Sequence, residues 1–408
     1  MIHAPTVHRV RRRPHVLQRN WTEKSRMTVF HLVQPVEGGV ARVVTDLVDA
    51  QVREGIRAVV ACPPQGPLPR LAAQAGAQVH PWPAGREPGP RLAAEVRAVT
   101  RLIRTGAPHI VHAHSAKAGL AGRLAVRGRV PTVFQPHAWS FDAVRGRSAE
   151  LALRWERHGS RWSTRTLCVS ESERRAGEEA GIRARWSVIR NGIDLTYFTP
   201  RGEHGREEAR ARLPELDGTP AWAPLVVCVG RLCRQKGQDV LLRAWTEVAR
   251  AVPGARLVLV GEGPDREALR QGAPPGVIFA GDRADTRPWL HAADLAVLPS
   301  RWEGMALAPL EAMACGLPVV VTDVSGARES LPPGQEPYAL VPPEDPSTLA
   351  AALVRLLSDP ALRQDLGRRA EEHTRATSDV RRTAAAVLRL YQELLSPHRS
   401  LTRERSER

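Results

Sequence analysis

The chain has 408 residues, of which 42% are hydrophobic and 25% are charged. This composition is ordinary for a globular protein, and the length is enough for two or three domains with complete cores. No apolar run approaches the roughly 18 residues of a membrane-spanning helix, and three Tyr and five Phe offer few rings for stacking on bases. We therefore expect neither a transmembrane protein nor a nucleic-acid partner.

The net charge of +16 is distributed unevenly along the chain. Residues 1–26 hold seven Arg or Lys against one Glu, residues 27–200 hold 24 basic against 14 acidic side chains, and residues 201–408 hold 28 of each. A basic first half would attract an anionic membrane surface or a phosphorylated acceptor. An arginine-rich solvated surface without any partner would give the same count.

The first 26 residues contain three consecutive arginines but no apolar core, so they do not form a secretory signal. A strand pattern then begins abruptly at Met27. We interpret residues 1–26 as a basic disordered leader and hypothesise that translation of the native protein starts at Met27. Mass spectrometry of the native protein tests this, because an intact Met1 terminus removes the idea.

The five cysteines are odd in number, and several fall in strand patterns. Cys228 and Cys233 do not have the spacing of a metal-binding pair. Reduced, buried thiols in a cytoplasmic protein are therefore the better interpretation.

Strands and helices alternate along the whole chain, which predicts parallel sheets covered by helices on both faces. In the first half, strand patterns lie near 28–34, 57–62, 77–82, 109–113, 130–135, 165–169 and 186–189. In the second half, they lie near 225–229, 256–260, 276–279, 294–298, 317–321 and 338–341. The clearest helices are 40–53 in the first half and 346–358, 360–375 and 378–395 at the end.

A polar passage at 200–224 is interpreted as the linker between two domains. The division predicted from it is an N-terminal domain at 27–199 and a C-terminal domain at 200–379. The polar residues 396–408 are predicted to be a disordered tail.

Two glycines and a histidine pair stand at strand ends in the first half. Gly38 and Gly39 precede a helix and leave room for the close approach of an anion. His112 and His114 suggest a metal site, but alternate histidines at a strand end are usually not ligands. We instead interpret His114 and Lys117 as lining a binding surface, with Lys117 free for an anionic group.

The segment LVVCVGRLCRQKGQDVLLRAW, residues 225–245, predicts a strand, a loop and an amphipathic helix. Arg231 and Lys236 fall in the loop, where free amides and the helix dipole already favour an anion. The loop is neither a P-loop nor a dinucleotide fingerprint. No Asp-x-Asp occurs to hold a divalent cation on a pyrophosphate, so we expect protein cations in that role and no metal or cofactor.

The segment RWEGMALAPLEAMACGLPVVVTD, residues 301–323, lies between two buried strand patterns. It places Glu303 on the loop that leaves one strand and Glu311 about two turns inside the following helix. In an open parallel sheet, ligands bind at the carboxyl ends of strands and the amino ends of helices. The two carboxylates are therefore predicted to face one ligand.

Together these segments resemble the GT-B glycosyltransferases, in particular the large retaining family 4, also called glycosyltransferase group 1. The resemblance covers about residues 28–395. Its five pieces, in the family's order, are Gly38-Gly39, the His137-Ala-Trp-Ser-Phe segment, Asn191-Gly-Ile-Asp194, the loop from Gly230-Arg231 to Lys236-Gly237, and Glu303 to Glu311. One departure is Met305-Ala306, where the family commonly has Phe-Gly.

The resemblance implies an α/β fold of two Rossmann-like, doubly wound parallel-sheet domains that face a cleft, with 380–395 crossing back onto the first domain. It implies that 27–199 is the acceptor-side domain, with His114 and Lys117 lining the acceptor side, and that 200–379 is the nucleotide-sugar-binding domain. It implies catalytic roles for Glu303, His137, Arg231 and Lys236. Donor binding is implied for Gly38, Gly39, Arg231, Lys236, Glu303, Glu311 and the amides of Met305, Ala306 and Leu307. In this scheme Glu311 holds the ribose hydroxyls, the two cations hold the pyrophosphate, and Glu303 and His137 lie beside the transferred sugar.

The function implied is retaining transfer of a hexose-type sugar from a nucleoside-diphosphate sugar to an acceptor hydroxyl. The preferred acceptor is a lipid-linked saccharide at the cytoplasmic membrane face, in exopolysaccharide or cell-wall glycan assembly. Three alternatives stay open: a soluble acceptor such as an inositol phosphate or a secondary metabolite, a GT-B sugar-nucleotide epimerase, and a basic nucleic-acid or membrane binding module without activity.

Overall fold

The computed structural model describes residues 27–202 and 205–396. The predicted leader, residues 1–26, and all of the predicted tail except Ser396 lie outside these ranges. Within them the chain forms two parallel sheets, which confirms the predicted fold class.

The first sheet has seven strands in the order β3-β2-β1-β4-β5-β6-β7. They are β1 (Thr28–Val33), β2 (Arg57–Cys62), β3 (Gln78–Pro81), β4 (Ile110–His114), β5 (Thr132–Gln135), β6 (Arg165–Cys168) and β7 (Trp186–Val188). The second sheet has six strands in the order β10-β9-β8-β11-β12-β13. They are β8 (Leu225–Val229), β9 (Arg256–Val260), β10 (Val277–Gly281), β11 (Leu295–Leu298), β12 (Val319–Thr322) and β13 (Leu340–Val341).

Helices connect successive strands, as parallel pairing requires. In the first half they are α1 (Gly38–Arg53), α2 (Leu68–Gln74), α3 (Leu92–Gly106), α4 (Ser115–Val126), α5 (Arg147–Gly159) and α6 (Glu171–Glu179). In the second half they are α7 (Gly205–Ala211), α8 (Gln238–Ala251), α9 (Arg266–Gln271), α10 (Arg287–Ala292), α11 (Leu307–Ala314), α12 (Ala327–Ser330), α13 (Glu336–Ala339), α14 (Pro346–Ser358), α15 (Pro360–Thr377) and α16 (Val380–Leu395).

The strands are built from runs of buried apolar residues, as expected for parallel sheets covered on both faces. All six residues of β1 are buried, and α1 turns Val43, Val44, Leu47 and Val48 inward. Every predicted strand is present within about three residues of its predicted ends, because short apolar runs flanked by Gly and Pro are an unambiguous pattern when they alternate with helices.

Two predictions about local structure are wrong. Helix α1 begins at Gly38 rather than at residue 40, so the glycine pair forms its first turn. The passage 200–224 is not a bare linker, because α7 lies within it and packs against α10. Leu213 and Leu216 of this passage are buried in the core, and these few apolar side chains among polar ones anchor it.

The last helix, α16, packs against α1 of the first half. The chain reaches it through a tight crossing, where Ile193 pairs with Asp379. A Cβ atom at Gly192 would lie 2.6 Å from the backbone nitrogen of Val380, so only glycine fits there. This crossing explains the Asn-Gly-Ile-Asp segment as a structural element.

Among the described residues, no helix combines the length and the apolar character needed to cross a bilayer.

Candidate donor-sugar site

The loops at the carboxyl ends of β8 and β11 bring two of the predicted catalytic residues into direct contact. The Nζ atom of Lys236 lies 2.5 Å from Oε1 of Glu303. The hydroxyl of Ser300 donates to the same oxygen at 2.6 Å. Because both side chains are mostly buried, this charge-assisted hydrogen bond fixes their relative position.

The close approach of the two loops depends on a glycine. Gly237 has a φ of 67°, in the left-handed region, and a Cβ atom there would lie 2.0 Å from the carbonyl oxygen of Pro299. No other residue could place the end of the Lys236 loop against the start of the Glu303 loop.

Arg231 lies on the same loop as Lys236 and points toward the first half of the molecule. Its guanidinium is 3.8 Å from the carboxylate of Glu37, the residue before α1. The side chain remains 22% exposed, so an incoming anion can compete for it.

The start of α11 lies against the first half of the molecule. Its first turn has no side-chain cap, which leaves amide donors there without a side-chain acceptor. The side chain of Leu307 lies 3.8 Å from the Cβ position of Gly39. The predicted glycine pair and the predicted helix start therefore face each other.

Hydrogen bonds between the two halves hold the loop that follows Glu303. The amide of Asn191 donates to the carbonyl oxygen of Met305 at 2.8 Å, and the Ser170 hydroxyl donates to that of Gly304 at 2.9 Å. The carboxylate of Glu329 accepts from the amides of Glu171 and Ser172 at the start of α6. These hydrogen bonds hold the two halves together on this side of the site.

Glu311 is the fifth residue of α11, little more than one turn inside the helix, and only 9% exposed. Burial raises the pKa of its carboxyl group, and the charge of Arg42 opposes that rise. Nearby on α1, burial raises the pKa of Asp46 to about 7. A buried carboxylate is costly without hydrogen-bond donors, and the hydroxyls of a ligand would supply them.

The loop after β5 holds His137 in a strained backbone conformation. His137 has a φ of 58° and Ala138 a φ of 129°, both unusual for residues other than glycine. Glu173 supports this loop: its backbone carbonyl accepts from Nε1 of Trp139 at 2.7 Å, and its carboxylate accepts from the amide of Val169. Such strain is maintained where a side chain must be held in one place.

Glu173 also connects this loop to the second half of the molecule. A Cβ atom at Gly304 would lie 2.9 Å from Oε1 of Glu173 and 2.9 Å from the carbonyl carbon of His137. Burial raises the pKa of Glu173 to about 7. A carboxyl group of the first half therefore lies beside the loop that carries Glu303.

Histidines from neighbouring strands lie behind His137. Nε2 of His137 is 3.1 Å from Nδ1 of His114, whose Nε2 is 3.0 Å from Nδ1 of His31. Nε2 of His31 is in turn 2.9 Å from Oε1 of Gln51. We call these four residues the histidine chain. Burial lowers the pKa of His31 to about 4 and that of His137 to about 3, so both rings are neutral.

Two acceptor-side predictions are wrong in this structure. His114 has no exposed surface and contacts His137 and His31 rather than the cleft. Lys117 is not free, because its Nζ atom lies 2.7 Å from the carboxylate of Glu95 and is only 3% exposed. The pattern of alternate polar residues could not reveal that Glu95, on a different helix, neutralises this lysine.

One group among the described residues could offer several ligand atoms to a metal ion: His31, His112 and His114. Its ring nitrogens lie within 4.8 Å of one another. However, Nδ1 of His31 and Nε2 of His114 are already hydrogen-bonded to each other. The group also contains no carboxylate or thiolate to offset a buried divalent charge. The hydrogen-bonded arrangement is the better account of this cluster.

Five residues around the site were not predicted from the sequence: His31 on β1, and four helical residues, Asp46, Glu173, Gln51 and Tyr391. The hydroxyl of Tyr391, on α16, lies 2.6 Å from Nδ1 of His112. The four helical residues come from helices whose sequences look ordinary. Only the buried-face position of Gln51 on α1, a polar residue in an apolar stripe, gave a usable signal.

The arrangement as a whole suits an anionic sugar ligand. Lys236 and Arg231 supply positive charge, the start of α11 supplies amide donors, and Glu311 supplies a buried acceptor for hydroxyls.

Comparisons with known proteins give the same picture. Residues 37–197 match the family model "Glycosyltransferase Family 4", and residues 223–359 match "Glycosyl transferases group 1". The chain is 30% identical to an Escherichia coli UDP-Gal:alpha-D-GlcNAc-diphosphoundecaprenol alpha-1,3-galactosyltransferase, over 64% of this chain and 70% of that protein. It is 32% identical to a D-inositol 3-phosphate glycosyltransferase of Thermomonospora curvata, over 70% and 73%.

The fold is also similar to solved structures. The structure of Anabaena HepE in complex with UDP and glucose superposes with a TM-score of 0.77, at 23% identity, over 90% of this chain and 99% of that one. With two domain models and curated relatives in agreement, this chain belongs to the family 4 glycosyltransferases and is a glycosyltransferase of the GT-B fold.

Proposed function

We propose that the enzyme transfers a hexose from a nucleoside-diphosphate sugar to a hydroxyl of a lipid-linked saccharide, with retention of configuration, in polysaccharide or cell-wall glycan assembly. The observation that carries the donor part is the contact between Lys236 and Glu303 beside the uncapped start of α11. This contact joins a cation for the leaving diphosphate to a carboxylate for the sugar. No metal or cofactor is needed in this scheme.

The residues suggest how the transfer proceeds. The bond from the anomeric carbon to the diphosphate breaks while Arg231, Lys236 and the amides of α11 stabilise the charge on the leaving oxygen, a type of assistance worth several kcal/mol. The acceptor hydroxyl forms its bond on the same face, and its proton passes to the leaving phosphate oxygen. Glu303 and Glu311 are not a glycosidase pair, because Glu311 is assigned to the ribose.

Three observations support a lipid-linked acceptor and peripheral binding at an anionic membrane face. The Escherichia coli relative is named for a diphosphoundecaprenol-linked substrate. The basic excess lies in residues 1–200. Helix α5, which begins ten residues after His137, exposes Arg147 and Arg154 on either side of Leu151, itself 64% exposed. Such a surface suits anionic headgroups.

The donor part is tested by thermal shift with UDP-, GDP- and ADP-sugars, followed by turnover of the sugar that binds. Lys236→Ala and Arg231→Ala are expected to lower turnover at least tenfold and to weaken the shift. Arg243→Ala, an exposed arginine in the same half, serves as the matched control. Near-normal turnover of both site variants, or binding of no nucleoside diphosphate, would refute the assignment.

The acceptor part needs a separate experiment. An undecaprenyl-diphosphate-linked sugar and inositol phosphate are offered in parallel, and we expect product only with the lipid. Product with inositol phosphate supports a soluble acceptor, as in the Thermomonospora relative's name. Conversion of the donor without any acceptor indicates an epimerase. Co-sedimentation with anionic vesicles that weakens as salt is added tests the membrane part.

A further inference from the structure

The histidine chain follows from the order of the strands. His31 lies on β1, His114 ends β4, and His137 follows β5, and these three strands are neighbours in the first sheet. Their carboxyl ends therefore place the three rings in a row. Gln51, on the buried face of α1, closes the far end. Gln51, His31 and His114 all have no exposed surface, so water cannot enter the chain.

The direction of the hydrogen bonds follows from the orientation of the Gln51 amide, whose Oε1 faces His31, together with a count of donors and acceptors. A neutral imidazole has one N–H donor and one bare nitrogen acceptor. Oε1 of Gln51 can only accept, so Nε2 of His31 donates to it and Nδ1 of His31 must accept from Nε2 of His114. By the same count, Nδ1 of His114 accepts from Nε2 of His137.

We propose that Gln51, His31 and His114 are positioning residues that hold His137 as the Nε2–H tautomer. The Nδ1 atom of His137 is thereby left as a hydrogen-bond acceptor for a hydroxyl of the transferred sugar. This inference rests on the proposed role of His137 beside that sugar. The tautomer itself, however, is a property of the ligand-free protein.

An isolated histidine at this position would offer either an N–H or a bare nitrogen to the sugar. In the chain, reversing His137 requires that His114 and His31 reverse too, which sets the bare Nε2 of His31 against the acceptor Oε1 of Gln51. Two buried acceptors that face each other without a proton between them are costly, so the chain favours one direction. The strained backbone at His137 and Ala138 holds the ring against Nδ1 of His114 and keeps the chain continuous.

Nitrogen NMR of protein labelled with ¹⁵N-histidine reads the tautomer directly, with His137→Gln identifying the resonances. We expect the Nε2–H form of His137 in the wild type. Gln51→Leu removes the terminal acceptor and is expected to shift His137 toward the Nδ1–H form. Gln51→Glu keeps an acceptor oxygen and is expected to preserve the wild-type tautomer, even if the leucine variant does not fold.

Thr132→Val is the matched control. It removes one hydrogen bond from a buried hydroxyl to the carbonyl oxygen of Val130, at the amino end of β5 and away from the chain, so the tautomer of His137 should not change. A wild-type His137 in the Nδ1–H form overturns the proposal, as does a folded Gln51→Leu variant with an unchanged His137. Stoichiometric bound metal in the purified protein also overturns it, because His31 and His114 would then be ligands.

Kinetics give the second readout. Loss of one hydrogen bond to a sugar hydroxyl is expected to lower kcat/KM about tenfold in Gln51→Leu. Thr132→Val should stay within about twofold of the wild type. If the wild type turns over no nucleotide sugar, the proposed function fails while the tautomer measurement still stands or falls on its own. A changed tautomer with unchanged kcat/KM rejects the link to the sugar.

Discussion

Two regions of the proposed sugar site are built on opposite principles. In the second half, Lys236 and Glu303 carry opposite charges and lie on the loops of two strand-loop-helix units, and the lysine is still 20% exposed. In the first half, the histidine chain is neutral, has three members without exposed surface and joins residues from β1, α1, β4 and the loop after β5. The first region is suited to bind an anion, and the second is suited to hold the His137 ring in one orientation.

This difference predicts which substitutions change turnover alone and which also change stability. A mostly buried ion pair contributes little net free energy to folding, because the cost of removing both charges from water offsets their attraction. The histidine chain is closed to water, so each lost partner leaves an unsatisfied group. Substitutions in the first region should therefore change turnover, and those in the second should also change stability.

The largest effect is expected from Glu303→Gln. Glutamine can still accept from Lys236 and Ser300, so the contact remains while the negative charge beside the sugar is lost. We expect turnover to fall about 100-fold or more. The free energy of unfolding should change by no more than about 1–2 kcal/mol, because the hydrogen bonds are kept and the ammonium still reaches solvent. Steady-state kinetics and urea titration measure the two quantities.

Glu262→Gln is the control for that substitution, since Glu262 forms an exposed ion pair with Arg266 in the same half. It should change neither quantity measurably. A loss of stability in Glu303→Gln that matches its loss of activity would break the comparison.

This contrast also explains how far the sequence could be interpreted. Lys236, Glu303 and Glu311 stand in short segments whose strand-loop-helix pattern already implies a ligand, so their positions were predictable. His31 and Glu173 have no local pattern, because their roles depend on which strands become neighbours and which helix face lies inward. Gln51 has only a weak one, as a polar residue in the apolar stripe of α1. Lys117 was misinterpreted for the same reason. Its buried partner, Glu95, lies on α3, which is separated from α4 along the chain by the strand β4.

The second prediction tests the buried region through His114→Leu. The substitution removes the hydrogen-bond partners of both His31 and His137 at a position without exposed surface. We expect a loss of about 2–4 kcal/mol in the free energy of unfolding, measured by urea titration of the ligand-free protein. His80→Leu, at a half-buried position on the edge strand β3, should cost less than about 1 kcal/mol. Equal losses would show that the chain adds no stability.

The third prediction concerns Glu173, which lies between the two regions. Its pKa of about 7 is above the ordinary 4.5, so the folded protein binds more protons than the unfolded chain between those values. The contribution of Glu173 to the free energy of unfolding is therefore fully present below about pH 4.5 and is lost as pH rises through 7. The loss amounts to at most about 3 kcal/mol. Glu173→Gln removes this dependence.

We expect Glu173→Gln to gain stability relative to the wild type between pH 5 and pH 8, in paired unfolding titrations. Burial raises the pKa values of Asp46 and Asp142 to about 7 and about 6. These two groups make the free energy of unfolding fall with rising pH in both proteins. The surface substitution Glu178→Gln should leave the difference at zero. If the free energy of unfolding changes with pH in the same way in the wild type and in Glu173→Gln, this carboxyl group is ionised in the folded protein.

The smallest effect is expected from Tyr391→Phe, which asks whether α16 belongs to the buried region. The phenol donates or accepts one hydrogen bond at Nδ1 of His112, and it has no exposed surface. Its loss should cost about 1 kcal/mol and lower the melting temperature by a few degrees at most, while turnover stays near normal. Tyr338→Phe, a half-buried tyrosine under Arg355, should cost less. If Tyr391→Phe instead lowers turnover as much as Glu303→Gln does, the last helix supports the sugar site itself. The division between a charged region and a neutral region then no longer holds.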